Sequence, residues 1–328
     1  MNKKLLLLGL FTALAGYLYL STDFRVIIFG HFKDFSFNIL LIQFSAIAVV
    51  ALLEFILIGW KASSARKWLN PSASVKRDII IFAMDMASIK GLFGKILTFG
   101  TPFLLIPPAY AFLSRHTPFL ISSKIQSPVA LFLIYLLFSD FILYWLHRSF
   151  HSIQAAWELH KYHHSAKEFS ILTATRDHPL VEPLWIFFVS LPSIIIGAGL
   201  EVVYPIVWLG LIHTYIIHSE IRSDWGFIGR WIIVSPQGHR IHHSLEQRHW
   251  NKNYSFMFVA WDRLFGSYHA PDGDVQNIGV EGDGYNVQNV FKETYIVICR
   301  SLSALPHSLR LKQIAGSLWK RRNVQNTD

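Results

Sequence analysis

The chain holds 16 histidines among 328 residues, unevenly spread. Eight fall into three compact groups: His147-Arg-Ser-Phe-His151, His160-Lys-Tyr-His163-His164 and His239-Arg-Ile-His242-His243. As spacings they read HxxxH, HxxHH and HxxHH. Positions i, i+3 and i+4 share one helix face, so each group aims two or three imidazoles one way. With histidine at 16 of 328 positions, a random chain holds roughly 0.04 HxxHH matches, and two are far beyond chance. A hydrogen-bonded core histidine is the ordinary explanation for a single ring, but a poor one for three groups. On converging helices these rings would line a pocket with nitrogen and form a metal site with room for more than one ion.

Neutral imidazole suits zinc, copper, iron and nickel. A zinc peptidase is disfavoured because no HExxH supplies a helix-borne general base. The histidines are also too many for one tetrahedral ion. Two oxygen-activating metals would explain the number. Such a centre removes hydrogen from an unactivated C–H bond, which side-chain acids and bases cannot do. No catalytic group beyond the metal centre is required. Two carboxylates could orient rings. Asp140 precedes His147 by seven residues, two turns along the same face, and could accept an imidazole N–H, although a helix-end acid at the membrane interface explains it equally well. Glu182 follows His178 by four residues and could act likewise.

The elements that must position these groups are largely apolar. The composition is 52% hydrophobic and 15% aromatic with only 16% charged residues, which indicates a membrane protein. Residues Leu5 to Leu20 follow Lys3 and Lys4; Ala13-Leu-Ala15 resembles a cleavage site, but an uncleaved membrane helix is preferred. Ile39 to Trp60 is long enough to cross a bilayer and carries Glu54 near its end, in a snorkelling or interfacial position. Lys61, Arg66, Lys67, Lys76 and Arg77 then mark a cytoplasmic loop. Glycines and prolines interrupt Ile79 to Leu113, giving a partly amphipathic segment and a kinked or re-entrant helix around Phe103 to Leu113. Val129 to Leu146 is the next span, and its far end delivers His147 to the cytoplasmic side. Ser152 to Ser170 is polar and lies outside the bilayer. Leu184 to Leu200 and Val202 to Ile217 form an apolar hairpin, and Ile221 to Asp262 carries the third histidine group outside the membrane. From Pro271 a soluble tail ends in Lys320-Arg321-Arg322.

The formal charge of +9 fits the lysine and arginine bias of cytoplasmic loops and contact with anionic lipid. With no basic stripe or motif, nucleic acid is not an expected partner. A single cysteine, Cys299, excludes an intramolecular disulfide framework and a cysteine-based metal cluster.

The run Asp140-Phe-Ile-Leu-Tyr144-Trp145-Leu-His147-Arg148-Ser-Phe-His151 resembles the first histidine box of the fatty acid hydroxylase / sterol desaturase superfamily. Trp157-Glu-Leu-His160-Lys-Tyr-His163-His164-Ser165 resembles the second box, and Thr173-Ala-Thr-Arg176-Asp-His178-Pro179 with Glu182 the segment after it. His218-Ser-Glu-Ile-Arg222 is similar to the extra histidine before the third box, and Ser235-Pro236-Gln-Gly-His239-Arg-Ile-His242-His243-Ser244 to the third box itself. Asn253-Tyr254 and Trp261-Asp262-Arg263-Leu-Phe265-Gly266-Ser267 close the pattern, which runs from about Leu131 to Ala270. Glu220 stands where asparagine is common, and Ser255 where glycine is common.

The resemblance implies a membrane enzyme that uses two iron ions and O2 to hydroxylate or desaturate a lipid C–H bond. Its implied ligands are His147, His151, His160, His163, His164, His239, His242 and His243, with His178 and His218 as further candidates. His213 and His249 are peripheral, and His31, His116, His269 and His307 have no assigned role. The histidine boxes do not choose among sterol, fatty acyl, ether-lipid or aminolipid substrates. There is no dinucleotide-binding glycine fingerprint and no His-Pro-Gly-Gly haem signature, so a separate reductase, ferredoxin or cytochrome must supply the electrons.

The expected architecture is an all-α, polytopic membrane bundle with a cytosolic histidine-rich cap. Its expected parts are N-terminal membrane helices with their loop (1–126), a catalytic domain (127–270) and a soluble tail (271–328). Two other readings remain: a histidine-rich metal transporter or sensor, which would carry its ligands at bilayer depth, and an inactive lipid-binding homologue.

Overall fold

The computed structural model describes residues 37–97, 107–108, 111–112, 115–116, 121–282, 285 and 289–308. The expected N-terminal helix, most of the kinked segment at 103–113 and the basic end of the chain lie outside these residues. The described residues are helical, with no strand beyond two isolated bridges, Ile233 to Phe258 and Ser244 to Ile278.

The apolar run after residue 37 forms helix α1 (Phe37–Ile58). Its segment Leu40–Ile58 is long and apolar enough to cross a bilayer, and only 22% of its apolar window is buried inside the protein. Leu52, Phe55, Ile56 and Leu57 point outward, as a hydrocarbon surrounding favours. The other face packs through Ala46, Val50 and Tyr215 against a later helix. Glu54 does not reach outward as expected. It is fully buried, and its carboxylate accepts from Ser64 N–H at 2.7 Å, Ser64 Oγ at 2.8 Å and Glu220 N–H at 2.7 Å. The end of the span is thereby tied to the polar layer. Two short helices, α2 (Ser64–Leu69) and α3 (Ala73–Met86), and then α4 (Ile89–Leu97) follow.

Helix α5 (Pro128–Ser152) is the second helix able to cross a bilayer. Ser127 caps it by accepting from Ala130 N–H at 3.3 Å, and Pro128 sits in the first turn, where no backbone donor is needed. It continues past the apolar run and carries both His147 and His151 on its last turns. After one extended residue the chain turns into α6 (Gln154–His164), which carries the second group.

The apolar hairpin consists of α7 (Val181–Ile196) and α8 (Leu200–Ile217), both shorter than the two spans. Gly197 ends α7 in the left-handed conformation (φ 74°), which lets the chain reverse within a few residues. Helix α7 packs on α5 through Val181, Leu146 and Phe150, while Ile196, Val202 and Ile206 meet Tyr135. The short helices α9 (Gly226–Trp231), α10 (Pro236–His242) and α11 (Ala260–Leu264) cover the end of the bundle.

Helix α12 (Val290–Ser308), within the expected tail, lies along α6. Its Glu293 is fully buried, with Arg77 at 2.8 Å and the Tyr162 hydroxyl at 3.3 Å. The residues after 271 therefore pack on the helix that carries the second histidine group.

Candidate metal centre

Helices α5, α6, α8 and α10 end close to one another, and the histidines at or just past their ends sort into two groups that cut across the sequence motifs. His147, His151, His160, His164 and His242 form one; His163, His218, His239 and His243 form the other. Each HxxHH motif therefore splits between groups, because neighbouring positions on a helix differ by about 100° of rotation. The groups abut: the rings of His164 and His243 stack with centroids 4.1 Å apart, and those of His242 and His243 are 5.3 Å apart.

Within the groups, Nε2 atoms face one another. His147 and His160 approach at 3.1 Å, His163 and His218 at 3.2 Å, His218 and His239 at 3.0 Å, and His239 and His243 at 3.1 Å. Two nitrogens about 2.1 Å from one ion, at tetrahedral or octahedral angles, lie about 3.0–3.4 Å apart. The Nε2 atoms of His151, His164 and His242 are buried with no hydrogen-bond partner. Buried lone pairs that converge without a donor fit a cation between them. Burial pushes the pKa values of His160, His163, His164, His239, His242 and His243 well below the usual imidazole range, and that of His218 down to about 3. All are neutral at physiological pH, the form that binds metal.

Backbone carbonyls fix the tautomers. His147 Nδ1 donates to Tyr254 O at 2.8 Å, His242 Nδ1 to Lys252 O at 2.8 Å, and His218 Nδ1 to Thr214 O at 2.8 Å. Each leaves its Nε2 lone pair for the pocket. Two of the three acceptors lie in the short loop 252–254, which is itself firmly held. Asn253 sits in the left-handed region (φ 54°); its amide donates to Gly238 O and His269 O, both at 3.0 Å, and its carbonyl accepts from His269 N–H at 2.7 Å. The buried Asp262 carboxylate accepts from Tyr254 N–H and Ser255 N–H at 2.8 Å each and from Ser267 Oγ at 2.7 Å. Sequence reasoning quoted these residues but gave them no role. Their signal was an acid and an amide grouped after the third histidine motif.

Three expectations are corrected. His178 joins neither group: Nδ1 accepts from Leu180 N–H at 3.2 Å and Nε2 lies 3.2 Å from Thr294 O, so both ring nitrogens are engaged with backbone. Glu182 lies 4.0 Å from Lys90 Nζ and makes no hydrogen bond to an imidazole. Asp140 accepts instead from Met257 N–H, Phe258 N–H and Trp261 Nε1 at 2.8–2.9 Å. It binds α5 to the segment following loop 252–254 and so acts on His147 only through that loop. His218, by contrast, stands within the second group.

Outside the metal groups, Arg176 is fully buried and binds Asp78 at 2.6 Å and Ser165 at 3.2 Å, fixing the segment after α6 to α3. Glu220, at a position where asparagine is common, pairs with Lys67 at 3.0 Å and Arg240 at 3.5 Å. A cavity of about 450 Å³ opens onto the first group; His151, His164, His242, Trp157, Lys161 and Trp250 are among its lining residues.

Fold and site together define a helical protein with membrane-length apolar helices and a buried pocket of nine histidines in two adjoining groups. Residues 132–267, which contain all nine, match the fatty acid hydroxylase family. That match, covering about two fifths of the chain, supports a place in the fatty acid hydroxylase / sterol desaturase superfamily. It is similar to alkylglycerol monooxygenase from Homo sapiens, 31% identical over 42% of this chain and 30% of that protein. It is also similar to ornithine lipid hydroxylase OlsE from Rhizobium tropici, 30% identical over 45% of this chain and 44% of that protein. A probable Delta(7)-sterol 5(6)-desaturase from Neurospora crassa is 28% identical over 44% of this chain and 40% of its own length. The chain thus spans less than half the length of these curated relatives. No solved structure was found to match it.

Proposed function

We propose that this chain is a membrane-bound oxidoreductase that uses O2 and two iron ions to hydroxylate or desaturate a C–H bond of a lipid. The observation that carries this reading is the division of nine histidines, eight of them buried, into adjoining groups of five and four. Two such groups suit a pair of ions. A pair of irons supplies the activation of O2 that an unactivated C–H bond requires. The protein's own residues hold the imidazoles neutral, fix three tautomers through Tyr254, Lys252 and Thr214, and keep the ligand face dry.

The relatives whose names specify hydroxylation or desaturation of lipids support a lipid substrate, and they do not choose one lipid class. The reading further comprises a multi-pass membrane protein with the histidine cap facing the cytoplasm, supported by the basic residues Lys61, Arg66, Lys67, Lys76 and Arg77 after the first span. Each turnover takes two electrons, which come from a separate cytochrome, ferredoxin or reductase.

Metal analysis of purified protein should find about two irons per chain, an expectation from the two-group site. His163→Ala should abolish O2-dependent lipid oxidation and leave membrane insertion intact. Full activity in a preparation without iron refutes the proposal. Lipid profiles of cells with and without the chain would then identify the substrate by its accumulation.

A further inference from the structure

A third constellation lies outside the nine-histidine pocket. His249, His269 and Asp272 bring one potential ligand atom each to within 4.8 Å of one another. His249 is fully buried, on the turn Gln247–His249, and its Nε2 makes no hydrogen bond. That nitrogen faces Asp272 Oδ1 at 3.6 Å, and the His269 ring lies 4.9 Å away, nearly perpendicular. A buried imidazole nitrogen left without a partner is unfavourable unless something takes its lone pair. Here it points between a second imidazole and a carboxylate.

We propose that His249, His269 and Asp272 form a separate site for a divalent cation of the zinc type. Two imidazoles and one carboxylate are a common donor set for such an ion, with a fourth position open to water. The other ring nitrogens are already assigned. His249 Nδ1 lies 2.9 Å from Ser244 Oγ, and His269 Nδ1 donates to Ala270 O at 2.8 Å, so each Nε2 is the free donor. Asp272 offers Oδ2 to Arg248 and keeps Oδ1 towards His249. Ligands on one tetrahedral ion at about 2.1 Å lie about 3.4 Å apart, so a pair as wide as 4.8 Å must close by about 1.4 Å. His269 is half-buried and Asp272 exposed, so both can supply it.

The site has a mechanical consequence. Ser244, which holds His249, lines the cavity that opens onto the first histidine group, as do Trp250 and Asn251. A cation would pin the turn 247–249 to the segment 269–272 and so stiffen that wall. The proposal does not depend on the iron reading, and metals are counted separately in its test.

Full-length protein in detergent, its iron content measured first, is titrated with Co2+ after weakly held metal is stripped. The parent should take up one more equivalent of Co2+ than the His269→Ala/Asp272→Asn double variant, at equal iron content. The difference spectrum should carry the ligand-field bands of a four- or five-coordinate site. Equal uptake by parent and double variant overturns the site. A folding-neutral second comparison uses Asp272→Asn and Asp272→Glu. The first should weaken Co2+ binding by about tenfold or more while the second retains it. Equal affinity of Asp272→Asn and the parent likewise overturns it.

Discussion

Asp262 is the residue through which the loop that orients His147 and His242 is held, and Asp262→Asn isolates that contribution. The carboxylate accepts from Tyr254 N–H, Ser255 N–H and Ser267 Oγ, all buried. An amide keeps one acceptor oxygen and turns an NH2 towards a backbone N–H. One of the two loop amides then loses its acceptor. Hydrogen bonds to charged groups contribute about 1.5–3 kcal/mol, and a buried unpaired amide adds about 1–3 kcal/mol of cost. A destabilisation of roughly 3–5 kcal/mol follows if the loop stays in place. If the loop relaxes instead, that cost falls and the loss passes to the metal site. Tyr254 O would leave His147 Nδ1, Lys252 O would shift from His242 Nδ1, and metal affinity should drop about 10–100-fold. Thermal unfolding and metal retention against a chelator, measured on the same preparation, separate the two. At least one must move. Parent-like unfolding together with parent-like metal retention would refute the assignment of Asp262 as the support of this loop. Asp224→Asn, at an exposed ion pair with Arg230, should leave both unchanged.

Further outcomes follow from the same geometry. His218→Ala should reduce metal content and His178→Ala should not, as read by metal analysis, because only the former lies among facing Nε2 atoms. Arg176→Met should destabilise the protein by about 3–5 kcal/mol, since the fully buried Asp78 loses its cation; denaturation of the parent and the variant reads this directly. Burial raises the Asp177 pKa to about 6 although Lys90 opposes the shift. Between the unfolded value near 4 and that figure the folded state binds the extra proton, so Asp177 costs stability as pH rises through this window. Asp177→Asn should therefore match the parent near pH 4 and exceed it above pH 6, the gap opening by at most about 1.4 kcal/mol per pH unit. A gap that instead grows on acidification would reverse this sign.

Much of the scaffold was legible from local pattern. The apolar runs from Ile39 and from Val129 form the helices Phe37–Ile58 and Pro128–Ser152, because the length of an apolar run is a local signal. The packing of α12 on α6 was not legible, because Glu293 and Tyr162 are 131 positions apart. The burial of Glu54 was hidden for the same reason. Its partners Ser64 and Glu220 come from a later turn and a distant helix end, so its position in the sequence suggested only an interface.

The type and spacing of eight histidines by themselves determined that imidazoles would gather at the ends of three helices, because residues at i, i+3 and i+4 stand on neighbouring positions of a helix surface. Which histidines stand in the same group was decided only by tertiary structure. The motif His160-Lys-Tyr-His163-His164 sends His163 one way and His160 and His164 the other, according to which helix end faces each ring. The same packing brought His218 in, turned both nitrogens of His178 to backbone, and gave Asp140 three donors from the segment 257–261 in place of an imidazole. Spacing along a helix sets the direction of a side chain, and only the neighbouring element sets what it meets.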